Sequence, residues 1–224
     1  MDIVRLNRTI INCRKCPRLV ENRETVARKK KRAYMDWVYW GKPVPAFGDI
    51  CGRILVVGLA PGAHGSNRTG RMFTGDASGV FLYAALHRAG FANQAVSSSR
   101  EDGLEVYDML ISAVCRCVPP GNKPNSTEVA NCIPYLEQEI RLMKNLQGLI
   151  ALGRIAYDNI FRIYRRWGEE VPRYVFKHGE VYKLGDKKPW VIASYHPSQQ
   201  NTQTGRLSVQ MFDEIWKEAH SMLV

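Results

Sequence analysis

Four short apolar runs constrain this chain more than any other feature. They lie at residues 53–58, 106–115, 148–152 and 190–195. Short apolar runs of this kind read as buried strands. Helical patterns lie between and after them, at 77–90, 126–145, 153–167 and 205–222. Strands alternating with helices predict an α/β fold: a three-layer α/β/α sandwich around a central, mostly parallel four-stranded sheet. The run RYVFKHGEVYKLGDKKPW, with its Gly and Asp turns, predicts an added hairpin. Residues 2–30 read as helices placed before the sheet. No repeat, low-complexity segment or long linker divides the 224 residues, so one domain over 1–224 is expected.

Such a sheet holds its ligands beyond the carboxyl ends of the strands. Three polar loops leave those ends. They are GLAPGAHGSNRTGRMFTGDASG from Gly58 to Gly79, then CVPPGNKPN, then YHPSQQNTQTG. They are predicted to converge on one site. The formal net charge of +11 favours a polyanion as partner: DNA, RNA or an acidic membrane face. No apolar run approaches the ~18 residues of a membrane span. The N-terminus, MDIVRLNRTIINC, has no signal-peptide core, so a cytoplasmic protein is expected.

The six cysteines of such a chain are expected to be thiols or metal ligands, not disulfides. Cys13 and Cys16 form a CxxC pair, and Cys117 and Cys132 follow about a hundred residues later. Together they suggest a four-sulfur site clipping the N-terminal segment to the loop after the second strand. Both a [4Fe-4S] cluster and structural Zn²⁺ accept four thiolates. Cys115 competes with Cys117 as third ligand. Cys117 is preferred because it opens the Pro-Pro loop, while Cys115 belongs to the apolar strand run. Cys51 and Cys115 read as buried thiols.

The long loop is not a phosphate cradle, since it lacks both GxxxxGK[ST] and GxGxxG. With YWGKPVPAFGD, CVPPGNKP and HPSQQNTQTGRL, it resembles the type-5 uracil-DNA glycosylases, in four motifs in the same order. The resemblance implies an α/β/α fold and a [4Fe-4S] cluster on Cys13, Cys16, Cys117 and Cys132. It also implies a DNA substrate, excision of deaminated bases by base flipping, and no membrane role; a monomer is expected. Two positions depart from related families. Leu59 stands where type 4 carries a Glu, and Ala113 stands where others carry an Asn.

The matched motifs supply candidates for each step. Phe73 would stack under the flipped base, and His196 would donate to the leaving base. Asp76, the only acid in the first loop, would stabilise the sugar cation or position water, although a helix cap is its ordinary role. Gly62 and Asn122 would contact the base, and His64 the base or a phosphate. Arg68, Arg71, Lys123 and Arg206 would hold DNA phosphates. Ser198, Gln199 and Asn201 belong to a loop that fills the gap left by the base, with Leu207 as wedge or as the start of the last helix. The run RKKKR at 28–32 reads as a basic face, and AYMDWVYW after it as packed aromatics. Two rivals compete with the glycosylase: a non-catalytic Fe–S nucleic-acid-binding module, and a small-molecule hydrolase on the same fold.

Overall fold

The computed structural model describes residues 2–186 and 188–224. Each apolar run forms a parallel strand: β2 (Ile54–Gly58), β3 (Met109–Ala113), β4 (Gly148–Leu152) and β6 (Trp190–Ser194). Except for the partly exposed Trp190, these residues are buried, as expected of strands covered on both faces. The sheet is larger than four strands. Two short edge strands, β1 (Phe47–Gly48) and β5 (Val181–Lys183), extend it to the order β1-β3-β2-β4-β6-β5. Both pair antiparallel with their neighbours. The β5–β6 pair is the hairpin expected from the Gly- and Asp-punctuated run.

Alternation along the strands separates two cores. Leu55, Val57, Leu110, Leu149, Ala151, Val191 and Ala193 face one cluster. It is completed by α1 (Ile3–Ile11), α5 (Ser126–Leu142) and α6 (Arg154–Arg166). Ile54, Val56, Met109, Ile111, Ile150 and Ile192 face the other, with α4 (Ala77–Arg88) and α8 (Val209–Ser221). This is the α/β/α sandwich. α2 (Pro17–Lys29) follows α1, begins with Pro at its first position, and precedes the sheet.

Local chemistry sets the helix starts. α5 opens with a capping box: Asn125 accepts from the Glu128 N–H at 2.8 Å, and Glu128 accepts from the Asn125 N–H at 2.8 Å. α8 starts at Val209, later than the expected 205, because Thr204–Arg206 are an exposed turn and Ser208 supplies the cap. A short helix, α7 (Gln199–Gln203), fills the start of that loop. A four-residue helix, α3 (Ser66–Thr69), lies inside the first long loop.

Candidate active site and thiol cavity

The carboxyl ends of β2, β3 and β6 open into a cleft of about 680 Å³. All three polar loops contribute to it: Gly62, His64, Phe73 and Asp76 from the first, Asn122 from the second, and His196, Ser198 and Gln199 from the third. Leu59 and Ala113, the two positions that depart from related families, also line it. Backbone bonds tie the first two loops together, from Val114 N to Gly58 O and from Cys115 N to Leu59 O.

Phe73 carries the clearest strain. Its φ is +52°, a region bulky side chains avoid, at a typical cost of about 1–3 kcal/mol. Three contacts hold it there. Its carbonyl accepts from Ser97 Oγ at 3.1 Å. Its ring lies over Gly58, where a Cβ would come within 2.6 Å of the ring. Its other neighbour is His196, stacked with centroids 5.8 Å apart. Glycine at 79 leaves room for the Phe73 carbonyl, which any side chain would strike.

Asp76 performs two tasks with its two oxygens. Oδ1 accepts from Gly79 N at 3.0 Å and caps α4. Oδ2 faces Gly62 and Gly65; a Cβ at Gly62 would lie 2.6 Å from it, and one at Gly65 closer still. Burial raises the carboxyl pKa, opposed by the N–H groups of Gly79 and Ser78 and the charge of Arg68. The capping reading and the site reading are therefore compatible.

His196 follows β6 and lines the cleft. The Asn201 side chain donates to its carbonyl at 2.8 Å, fixing the turn. Burial lowers its pKa to about 4, so the ring is neutral at pH 7. The folded protein thus resists the proton that an unfolded chain binds near the ordinary 6.5. Above 6.5 this costs no stability; from 6.5 down to about 4 stability falls as the unfolded state gains the proton. His196→Asn is expected to flatten that part of the acid-induced fall in Tm. An unchanged slope in melts across this range would show that His196 titrates as an ordinary histidine.

His64 is held by a residue that the sequence did not single out. Tyr39 hydroxyl and His64 Nδ1 are 2.9 Å apart. Desolvation, with the charges of Lys31 and Arg68, lowers the His64 pKa. Lys31 and Tyr34 also line the cleft. The aromatic run after RKKKR is packed as expected, but it is packed against the site. The clue available in the sequence was the adjacency of the basic and aromatic runs.

Several expected DNA contacts are placed elsewhere. Arg68 is 4% exposed and Arg71 also 4%. Arg68 donates to the carbonyls of His64 (2.7 Å) and Gly75 (2.9 Å), between the rings of Tyr34 and Trp37, each 4.0 Å away. Arg71 is paired with Asp102 at 2.8 Å and bonded to Thr74. Burial would raise the Asp102 pKa, but Arg71 and three backbone N–H groups hold it at about 2. Both arginines brace the loop from inside and are not free to meet a phosphate. Leu207 is 1% exposed, within the core formed with α8, so it is no wedge. Asn201 is occupied by the His196 carbonyl. Asn122 and Lys123 are exposed, as is Arg206, which lies over the Tyr195 ring at 4.6 Å. Ser198 caps α7.

A second cavity lies between the N-terminal helices and the start of α5. Cys13, Cys16, Cys117 and Cys132 all border it, with Arg23 and Arg116. Cys115 is not among the bordering residues and is buried in the core; Cys51, expected to be buried, is exposed. Among the described residues, no three His, Cys, Asp or Glu side chains form a group able to hold a metal ion. The surroundings nonetheless suit anionic sulfur. Cys117 Sγ accepts from Arg23 at 3.0 Å, Cys132 Sγ from Arg116 N–H at 3.3 Å, and Cys16 Sγ from Asn131 at 3.5 Å. Arg116 is itself paired with Glu139 at 2.5 Å, and Glu139 accepts from Ser112 of β3 at 2.6 Å. Donors aimed at the sulfurs and buried positive charge would stabilise a four-thiolate group.

The fold and the site together define an α/β domain whose cleft, at the carboxyl edge of the sheet, is lined by a neutral imidazole, a helix-capping carboxyl and a strained aromatic. Comparison narrows it. The family model "Uracil DNA glycosylase superfamily" matches residues 45–220. The chain is 49% identical over 222 residues to the type-5 uracil-DNA glycosylase of Mycobacterium tuberculosis (strain CDC 1551 / Oshkosh), covering 99% of this chain and 82% of that protein. It is 47% identical over 219 residues to that of Thermus thermophilus, covering 98% and 97%. A type-4 uracil-DNA glycosylase of Pyrobaculum aerophilum is 33% identical over 201 residues, covering 88% and 84%. The chain belongs to the uracil DNA glycosylase superfamily, and within it to the type-5 members.

Proposed function

We propose that this protein is a monofunctional DNA-repair glycosylase that hydrolyses the N-glycosidic bond of uracil and other deaminated bases and leaves an abasic site. The observation that carries this reading is the convergence of Phe73, Asp76 and His196 on one cleft, in a member of this superfamily. To reach the bond, the nucleotide is extruded from the duplex, at a cost of a few kcal/mol that is least for a mismatched base. Phe73 and His196 offer a wall of stacked rings, and an aromatic contact returns about 1–3 kcal/mol per base.

Breaking the C1′–N bond leaves an oxocarbenium-like sugar and an anionic base. Neutral His196 donates a hydrogen bond to the developing charge on the base oxygen, which a hydrogen-bond donor does without becoming an acid. The Asp76 carboxylate stabilises the sugar cation. Water adds its oxygen to C1′, and its released proton balances the one taken up by the departing base. Cys13, Cys16, Cys117 and Cys132, as thiolates, would hold a [4Fe-4S] cluster whose Fe–S bonds would tie the N-terminal helices to α5.

The range of bases follows from Ala113. A buried amide there would punish a mismatched base edge by leaving a polar group unpaired, at about 1–3 kcal/mol. Alanine imposes no such penalty and leaves room. Hypoxanthine and xanthine share the carbonyl beside a ring N–H that uracil presents, so they should be released as well; thymine and guanine carry the same edge, and their retention rests on the pairing and stacking that keep normal bases in the duplex. Single-turnover excision from matched duplexes tests both statements. No release of uracil overturns the glycosylase. Uracil release with hypoxanthine at background overturns the wide range. Ala113→Asn is expected to shift preference toward uracil.

A further inference from the structure

The basic run at 28–32 and the turn after it take no part in the chemistry above, yet Lys31 and Tyr34 line the cleft. α2 ends at Lys29, and Lys30 after it has φ +53°. Its Nζ donates to the Met35 carbonyl at 2.8 Å, closing the turn. Arg68 anchors the turn from behind, between Tyr34 and Trp37. Tyr39 anchors the exit through His64. The front is bare: Met35 is 55% exposed and Val38 92%. Lys31 reaches the cleft itself, and Lys29, Lys31 and Arg32 are exposed.

We propose that residues 31–38 form a DNA-engaging lip. Lys31 pairs with a phosphate at the cleft mouth, and Met35 and Val38 press into the base stack beside the extruded nucleotide. The inference rests on the glycosylase reading. Three observations converge on it. The gap beside an extruded nucleotide is commonly filled by a side chain pressed into the stack, apolar wedges among them, and Leu207 is inside the core. Flipping needs cations at the cleft, and with Arg68 and Arg71 internally bonded, Lys31 joins the exposed Lys123 and Arg206. It also gains from a loop ordered before binding, because little freedom is then lost on contact. The turn at 31–38 meets all three needs. Its two apolar tips lie beside cations, which suits an anionic, stacked partner.

The test uses the full chain and a duplex carrying a tetrahydrofuran abasic analogue with 2-aminopurine next to it. Lys31→Gln is expected to reduce the slope of log affinity against log salt by about 0.9, the loss of one phosphate contact. The double variant Met35→Ser/Val38→Ser should keep the wild-type slope but bind about tenfold more weakly, equivalent to ~1.4 kcal/mol. It should also lose most of the 2-aminopurine brightening that reports unstacking. Because these side chains face solvent, the Tm should not change. A double variant that binds and brightens like wild type overturns the wedge, and an unchanged slope for Lys31→Gln overturns the phosphate contact. A wild-type protein that shows these responses but releases no uracil sinks the glycosylase reading and still supports the lip.

Discussion

Asp76→Asn is expected to slow single-turnover excision of uracil by about 10²–10⁴, the range typical of positioned acid–base groups. The structure makes this substitution informative because it separates the two oxygens' tasks. Asparagine caps helices about as well as aspartate, so the bond from Gly79 N should survive and the Tm should hold. What disappears is the negative charge facing Gly62 and Gly65. Gly62→Ala approaches the same oxygen from outside, since its Cβ would lie 2.6 Å from Oδ2 and force the carboxyl aside. It should lose part of the rate. Binding to an abasic-site duplex should change little in either variant. Because burial raises the Asp76 pKa, the acid-side fall in excision should begin at higher pH than for a solvent-exposed aspartate. An Asp76→Asn variant with wild-type excision would leave Asp76 as a cap alone.

If the proposed [4Fe-4S] cluster is present, Cys117→Ser should remove it and much of the stability together. Protein prepared without oxygen is expected to be brown and to hold about four iron atoms per chain, as four thiolates around a [4Fe-4S] core require. Cys117 borders the thiol cavity and accepts from Arg23. Serine there should abolish the iron and lower the Tm well beyond the ±0.5 kcal/mol or so of an ordinary surface change. Cys115→Ser, in the core beside the cavity, should keep its iron. Iron analysis and melting curves decide. Colourless anaerobic protein with one zinc per chain would overturn the cluster, and iron loss from Cys115→Ser alone would reverse the choice of third ligand.

The sequence by itself determined the four central strands of the sheet. Ile54–Gly58 and its three counterparts are apolar on both faces, a local property that survives in any surroundings, and strand–helix alternation then leaves few topologies. It also determined which loops meet, because parallel strands put all their carboxyl ends on one edge. The two antiparallel edge strands were legible only in part. β5 carried turn residues, whereas Phe47–Gly48 is two residues long and is a strand only because β3 lies beside it.

Tertiary structure decided what each polar side chain does. Arg68 and Arg71 look like phosphate ligands in a glycine-rich loop. Their fate was set by Tyr34 and Trp37, some thirty residues earlier, and by Asp102, thirty residues later. Leu207 was poised between wedge and helix until the core formed with α8 enclosed it. Tyr39 gained a role only because folding brought its hydroxyl to His64. A side chain's charge and shape are written locally. Whether water, a phosphate or another side chain satisfies it depends on which distant elements pack beside it, and no local pattern encodes that.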